Sequence, residues 1–355
     1  MKKISKFLFC SLLLIVLTAC GSSDDEAAAG SSSNKDETLE VSIEDASYIL
    51  SGQGGGDTLE NAEGGLLQID LQVKNISDTS IKIYPDMDMQ LYDGETQIDP
   101  SKERNPALDL TVDSNNSIGA DKQKNVSVLF NVEKDTEYEL NISPQPVDYE
   151  KEVSDITIPI DTSEYNDSLE ALNEPADALE AYVETIYFDK DNSNYEEFVS
   201  ADKNDLQADA ETLFADNLGR GLSSDVPKDD VEKYYESFKQ ASAEKNEIEA
   251  VVKGNANDKA IVVLNYTAIS YEDISNELRN YKEKYREKND GFDTKKEDEY
   301  ALSKFDSVLD KIDAKKGTRE LEVQMTKEDG KWVVDDSERD AKKRIMRVFA
   351  EGVVM

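Results

Sequence analysis

Two serine–lysine pairs, Ser200 with Lys203 and Ser242 with Lys245, have the offset at which a lysine amine can serve as base toward a serine hydroxyl without imidazole. The Ser-Asp-Asn and Lys-Thr-Gly elements that complete such a site in penicillin-recognising enzymes do not occur. In a chain rich in serine and lysine, the offset alone reads as coincidence. A second stretch, DKDNSNYEEF at 189–198, sets Asp189, Asp191 and Ser193 at the first, third and fifth positions of a calcium loop. Asn194 stands where that loop needs glycine, and Ser200 where it needs a bidentate glutamate. The stretch therefore reads as a solvated acidic turn, with calcium binding as the alternative. Histidine is absent from the 355 residues, and cysteine occurs only at Cys10 and Cys20. Ser-His-Asp and Cys-His catalysis and His-ligated zinc are thereby excluded. Among 78 acidic residues no pair of carboxylates stands out as a glycosidase acid and base. Tyr266 and Tyr271 could line a pocket in which burial shifts a proton affinity, although ordinary packing accounts for both. No Walker-type phosphate loop is present.

Cys20 has a different setting. Lys2, Lys3 and Lys6 precede an apolar run from Phe7 to Leu17, and the chain turns polar at Gly21, which is the three-part layout of an export signal. Phe7 to Ala19 is 13 residues, against about 20 for a membrane-spanning helix, so a removable signal is predicted rather than a permanent span. Leu17, Thr18, Ala19 and Cys20 resemble the lipobox of bacterial lipoproteins. That resemblance implies cleavage between Ala19 and Cys20, a diacylglyceryl group on the Cys20 thiol, and a mature protein held on the extracellular face of the cell membrane. Two acyl chains anchor stably where one does not. The stretch LLLIVLTA, residues 12–19, also resembles the apolar octapeptides that some enterococcal lipoprotein signals release as pheromones, but any lipoprotein signal is apolar there.

The chain carries 40 Lys and Arg against 78 Asp and Glu, a formal net charge of −38. Such a surface repels nucleic acid, teichoic polymers and anionic headgroups, so nucleic-acid binding is excluded as a function class. The charge favours solubility and attracts cations without naming a partner.

The elements that would position any site fall into two groups. Residues 20–38 follow the lipidation point as a flexible linker rich in Gly, Ser and acids. From 39 to 160 the periodicity is that of strands. Leu67, Ile69, Leu71 and Val73 alternate with Gln68, Asp70, Gln72 and Lys74, and Val126, Val128, Phe130 and Val132 repeat the pattern. Turn residues punctuate the runs at NISDTS, YDGE, DSNNS and SPQP. Several alternating strands without a helical stretch predict an antiparallel β-sandwich, with Tyr48, Tyr84, Tyr92 and Phe130 in packing roles. The segment LQVKNISDTSIKIYPDMDMQLYDGE, residues 71–95, resembles the telokin-like, immunoglobulin-like domains of Gram-positive lipoproteins. The resemblance implies an interaction module without catalytic residues.

An acidic connector, 161–174, then leads to an α+β unit over 175–355. Leu179, Tyr182, Val183 and Ile186 line one side of a first helix. Leu206, Leu213 and Phe214 mark a second, and Val231, Tyr234, Tyr235 and Phe238 a third. Glu247–Val252 and Ala260–Ile269 read as strands joined at GNAND, the second apolar on both faces as in a covered strand. Ile274, Leu278, Tyr281 and Tyr285 form one narrow stripe and Leu302, Phe305, Leu309 and Ile312 another, which predicts a helical hairpin turning at KNDGFD. A hairpin from Leu321 to Val334 follows, and Ser337 with Asp340 form the capping box of a last helix. On that helix Arg339, Lys343 and Arg347 read as locally ion-paired rather than as a docking patch. Helices followed by strands and the closing DGKWVVDD, 329–336, resemble the cone-shaped NTF2-like superfamily.

The whole resembles a Firmicute surface lipoprotein: signal peptide 1–19, lipidated Cys20 with linker to 38, immunoglobulin-like sandwich 39–160, connector 161–174, and an NTF2-like α+β domain with a helical hairpin over 175–355. The expected role is a non-catalytic binding module for a protein or peptide ligand, needing no cofactor and of unassigned oligomeric state. The alternatives are an enzyme using Asp, Glu or Tyr in the C-terminal cone, or a calcium-responsive accessory protein.

Overall fold

The structure, a computed structural model, describes residues 33–52, 64–111, 113–220, 222, 226–289, 293–335 and 341–354. Cys20, the signal sequence, most of the linker, the turn at 290–292 and the capping box at Ser337 and Asp340 lie outside the described residues.

The N-terminal part is built of β1 (Ser33–Lys35), β2 (Leu39–Ser51), β3 (Gly64–Asn75), β4 (Ile81–Lys82), β5 (Met89–Asp93), β6 (Thr96–Ile98), β7 (Ser117–Ile118), β8 (Gln123–Glu133), β9 (Glu137–Ile142), β10 (Gln145–Pro146) and β11 (Ile156–Asp161), with one short helix, α1 (Pro85–Asp88). Every strand pairing is antiparallel: β1–β2–β3–β8 form one layer, and β11–β9–β5–β6 the other. The predicted inward set, Leu67, Ile69, Leu71 and Val73, is fully buried and packs with Phe130 against Leu91, Leu140 and Ile158 of the second layer. Alternation produces this directly, because period-2 side chains place one face of each strand on the core.

Two N-terminal boundaries differ from the expectation. Ser33–Lys35, inside the stretch read as linker, pairs with β2 from Ser42 to Glu40, and Asn34 Nδ2 donates to Thr157 O at 2.7 Å. The connector 161–174 is not a spacer either. It coils through a 3-10 turn (Thr162–Tyr165), α2 (Asn166–Glu170) and a second 3-10 turn (Ala171–Asn173). Its Leu172 is 3% exposed and joins the sandwich core with Leu169, while Ser168 Oγ accepts from the Tyr48 amide at 2.9 Å. Tyr165, Leu169 and Leu172 stand four and three residues apart, an apolar helical stripe that surrounding acids hide from a composition count.

The C-terminal part follows the expected order: α3 (Glu174–Tyr187), α4 (Ser193–Phe198), α5 (Lys203–Arg220), α6 (Lys228–Lys245), β12 (Ile248–Ala256), β13 (Lys259–Ala268), α7 (Tyr271–Lys288), α8 (Thr294–Leu302), α9 (Phe305–Lys311), β14 (Lys315–Lys316), β15 (Leu321–Glu328), β16 (Lys331–Val334) and α10 (Ala341–Phe349). A second core joins α3, α5, α6 and α10 to one face of β13 through Tyr182, Tyr187, Phe214, Phe238, Tyr266 and Phe349. Glu180 on α3 accepts from the Ala250 amide of β12 at 2.7 Å. The second helix of the predicted hairpin is broken at Ser303 and Lys304, so α7 pairs with α8 while α9 turns to pack on α6.

The two parts share one sheet. Its order is β16–β15–β13–β12–β2–β3–β8, closed across the boundary by Gly254 opposite Ser51 and Asn255 opposite Leu50. Around this seam Ile49, Leu66, Leu108, Leu110, Leu129 and Ala256 make a third, smaller core. Gly254 sits at a β-bulge in β12, and a Cβ there would stand 2.7 Å from Leu108 Cδ1. Glycine at this position is therefore a packing requirement of the seam.

Candidate functional site

A cleft of about 610 Å³ opens at the edge strand β8, between the outer face of β2 and β3 and the rim of the sandwich core. Its apolar wall includes Leu71, Ile83, Leu110, Ile118, Val128 and Leu129. Its polar floor is Glu44, Asp45, Gln68 and Asp70, and Asn257 reaches in from the second domain.

A β-bulge places the floor. Register shifts between Ile43 and Asp45, so Glu44 is the extra residue. Strict alternation after the inward Ile43 would send Asp45 into the core. The extra residue sends Asp45 outward instead and returns Ala46 and Tyr48 to the core. Asp45 then stands opposite Asp70 on β3. Asp70 accepts from Ser127 Oγ across β8 and from Gln68 Nε2 at 3.0 Å. The cleft walls, the facing Asp70 and then Asp258 together push the Asp45 carboxyl above the usual carboxylate range, partly offset by the Ala46 amide. No lysine or arginine pairs with Asp45 or Asp70 among the described residues.

The far wall is the segment that leaves β4 and returns through β7. Arg104 clamps Asp86 through Nη2, at 2.7 Å to Oδ1 and 2.6 Å to Oδ2, while its Nη1 donates to Glu103 O at 2.6 Å. Asn105 ties the segment to β2 by donating to Ser51 O at 2.8 Å, and its side-chain oxygen caps the turn at Pro106–Leu108. Lys124 pairs with Asp113 at 2.8 Å, which holds the Asp113 carboxyl below the usual range. The cleft's cations are thus committed to its own wall.

The second domain contributes through the tip of β12–β13. Ala256 pairs with Lys259, leaving a two-residue loop whose Asn257 and Asp258 both have positive φ, 51° and 58°, the geometry of a type I′ hairpin turn. That turn sets Asn257 over the sandwich. Its Nδ2 donates to Leu108 O at 2.8 Å, and its Oδ1 accepts from Gln68 Nε2 at 2.8 Å. Lys259 pairs with Asp109 at 2.7 Å beside it.

The residues singled out by spacing do not assemble elsewhere. Lys245 Nζ donates to Leu309 O at 2.6 Å, Ile312 O at 2.8 Å and Asp310 O at 3.1 Å, capping the end of α9, so it is no base for the buried Ser242. Lys203 Nζ lies 3.7 Å from Asp189, whose carboxylate also lies 4.0 Å from Lys239. Asp189 is therefore facing ammonium groups, and Ser193 opens α4 beyond the Asn192 cap instead of sharing a loop with it. Among the described residues no three acidic, His or Cys side chains are grouped to hold a metal. Tyr266 is buried and borders a smaller cavity of about 520 Å³ with Thr318, Arg319, Glu320, Leu321 and Arg344, in which no carboxyl is buried. Tyr271 is raised well above an ordinary phenol by burial. The buried acids of this domain, Glu297, Asp298 and Glu351, are all ion-paired. Arg347 meets Glu351 at 3.2 Å, the local pairing expected of it. Trp332 is buried in β16 with Lys327 over its ring.

Sequence reasoning passed over the cleft. Gln68 and Asp70 were legible as the wet face of a strand, and an amide there that turns out only 5% exposed was the one anomaly to find. Which acid would face Asp70 depends on the bulge, which no local pattern announces.

The architecture defines an all-antiparallel sheet protein whose C-terminal half adds helices, with a cleft at the front. The chain belongs to the family described as "Domain of unknown function (DUF5105)", whose model matches residues 165–350, more than half of the chain. A second model, "Domain of unknown function (DUF4352)", matches residues 31–153. The chain is similar to the uncharacterized lipoprotein YcdA of Bacillus subtilis strain 168, at 26% identity over 302 residues, 83% of each chain. The crystal structure of YcdA superposes with a TM-score of 0.64 at 24% identity, covering 89% of this chain and 98% of that one, a likeness of fold. No helix among the described residues is long and apolar enough to cross a membrane.

Proposed function

We propose that the protein is a lipid-anchored lipoprotein of the extracytoplasmic face, cleaved before Cys20 and diacylated on its thiol, that binds a ligand without chemically changing it. The reading of the anchor rests on the order of charge, apolar run, small residues and cysteine, and on a relative named a lipoprotein. The observation that carries the binding role is the cleft. Its volume falls within the roughly 300 to 1,000 Å³ of small-ligand sites, and its lining sets apolar side chains beside a polar, largely acidic floor. In this reading the front half is an immunoglobulin-like, telokin-like module that carries the site. The back half is an NTF2-like unit whose core is filled by aromatic rings, which supports a scaffold rather than an enzyme pocket.

Two measurements test this. In cells fed alkyne-palmitate, the wild-type chain is expected to take label and to be shaved by protease from intact cells, while Cys20→Ser takes none. An unlabelled or protease-protected wild type overturns the anchor. A photocrosslinking residue at Asn125, an exposed cleft position, is expected to capture an adduct in living cells that the same residue at exposed Glu152 does not. Equal patterns at the two positions overturn the cleft.

A further inference from the structure

The cleft floor presents acceptors and almost no donors. Asp45 and Asp70 are opposed on one face of antiparallel strands, where facing Cβ atoms stand about 5 Å apart, and like charges so placed repel. The Gln68 amide adds an independent sign. The Leu108 carbonyl can only accept, so Asn257 must give it Nδ2 and turn Oδ1 toward Gln68. Gln68 must then turn Nε2 toward both Asn257 Oδ1 and Asp70, which fixes its Oε1 as the remaining acceptor. Gln68 is 5% exposed, lines the cleft, and its Oε1 has no hydrogen-bond partner among the described residues. A buried amide oxygen without a partner is destabilising. The group that satisfies two carboxylates and an amide oxygen is a cation with several N–H donors. A bare metal ion fits less well, since the described acids do not group for one.

Resting on the binding role above, we propose that the cleft takes an organic cation, a primary ammonium or guanidinium group on an apolar body, with the cationic head between Asp45, Asp70 and Gln68. The apolar body lies along Leu110 and Leu129, which share that outer face. The head comes either from a free amine or from a lysine or arginine side chain of a peptide; both present the same donors.

Titration calorimetry on the full-length protein in detergent separates the cases. The probes are phenethylammonium, its neutral isostere 2-phenylethanol, the capped peptide Ac-Lys-Leu-Leu-NH2, its Gln analogue, and calcium chloride. We expect phenethylammonium or the lysine peptide to bind at least tenfold more tightly than its neutral counterpart. Which of the two binds more tightly assigns the source. Asp45→Asn and Asp70→Asn are each expected to weaken that binding at least tenfold; Asp45→Asn, which removes a facing like charge, should do so without lowering the melting temperature. Neutral and cationic probes of equal affinity, no binding of either cation at millimolar concentration, affinity indifferent to Asp45→Asn, or saturable calcium displacing the amine each overturn the cation. An Asn125 crosslink alongside any of these leaves the binding role standing. Its loss, or chemical conversion of a bound probe, removes that role as well.

Discussion

At the scale of single residues, the opposed pair Asp45 and Asp70 makes an argument about pH that can be worked through to its sign. Burial by the cleft walls, then Asp70, then Asp258 raise the Asp45 carboxyl above its unfolded value. Ionising it therefore costs the folded state. The cost is absent below the unfolded carboxylate value of about 3.9 and is fully felt once pH has risen through the folded value. Asp45→Asn should accordingly stabilise the protein at neutral pH, by about 0.5 kcal/mol for a solvent-facing cross-strand pair. The gain should shrink to nothing by about pH 3.5. Urea midpoints of wild type and variant across that range check it; a gain that persists at low pH contradicts the assignment. Asp113 runs the other way. Lys124 holds its carboxyl down, so its contribution is present at neutral pH and is lost as pH falls through the depressed value. Any acid unfolding of the whole chain must therefore be read against the Asn variant, which subtracts such opposite contributions.

At the scale of elements, the stripe of α7 was legible, but its partner was not: the second stripe, Leu302 to Ile312, falls on the end of α8 and on α9, and α8 is held to α7 by other contacts. The 4-3-4 spacing of Ile274, Leu278, Tyr281 and Tyr285 predicts a helix that pairs, and α7 does pair with α8. Tyr300 bridges Tyr281 and Tyr285 at centroid distances of 6.4 and 5.2 Å. The tight contacts are ionic: Lys282 meets Asp298 at 2.5 Å, and Arg286 meets Glu297 at 2.7 Å. Both acids are 2% exposed, and a sequence with so many exposed acids gives no sign of which two will be interior. Removing one partner of a buried pair leaves an uncompensated charge, whereas removing both does not. Arg286→Met is expected to destabilise by leaving the buried Glu297 unpaired, and Arg286→Met with Glu297→Met to recover most of that loss. Chemical denaturation of wild type, Arg286→Met, Glu297→Met and the double variant closes the cycle. Equal losses in the single and double variants would mean that the arginine acts through its stem alone. The break at Ser303–Lys304 has the same lesson. The 3-4-3 stripe continues through it, yet Lys245 of α6 caps the carbonyls at the end of α9, a contact 64 to 67 residues away in sequence that no local period contains.

At the scale of the whole molecule, two differently built parts were legible and their union was not. Alternation and helical period separate a strand-built front from a helix-rich back, because each depends on neighbours a few residues apart. The seam depends on pairing β2 with β12, two hundred residues on, and on a hairpin tip that delivers Asn257 to the cleft. Leu108 sits at its centre, fully buried among Ile49, Leu66, Leu129 and Ala256, beneath the amide of Asn257. Because only two residue pairs close the sheet there, the small core and the side-chain bonds around it carry the coupling. Leu108→Ala removes buried volume at a place that belongs to both parts, at a cost of about 2–5 kcal/mol. Each half keeps its own core of buried side chains, so the loss falls on the seam. Calorimetry of the full-length protein should therefore show one cooperative transition for the wild type and two separated transitions for Leu108→Ala, the first belonging to the half with the weaker core. The cleft should report the same event. The Leu108 carbonyl is backbone and survives the substitution, but once the seam parts it no longer lies under Asn257; the Gln68 amide is then no longer fixed, and cation affinity should fall although no residue of the floor has changed. A single transition shifted downward, with affinity intact, would mean that the β2–β12 pairing alone makes the two halves one folding unit.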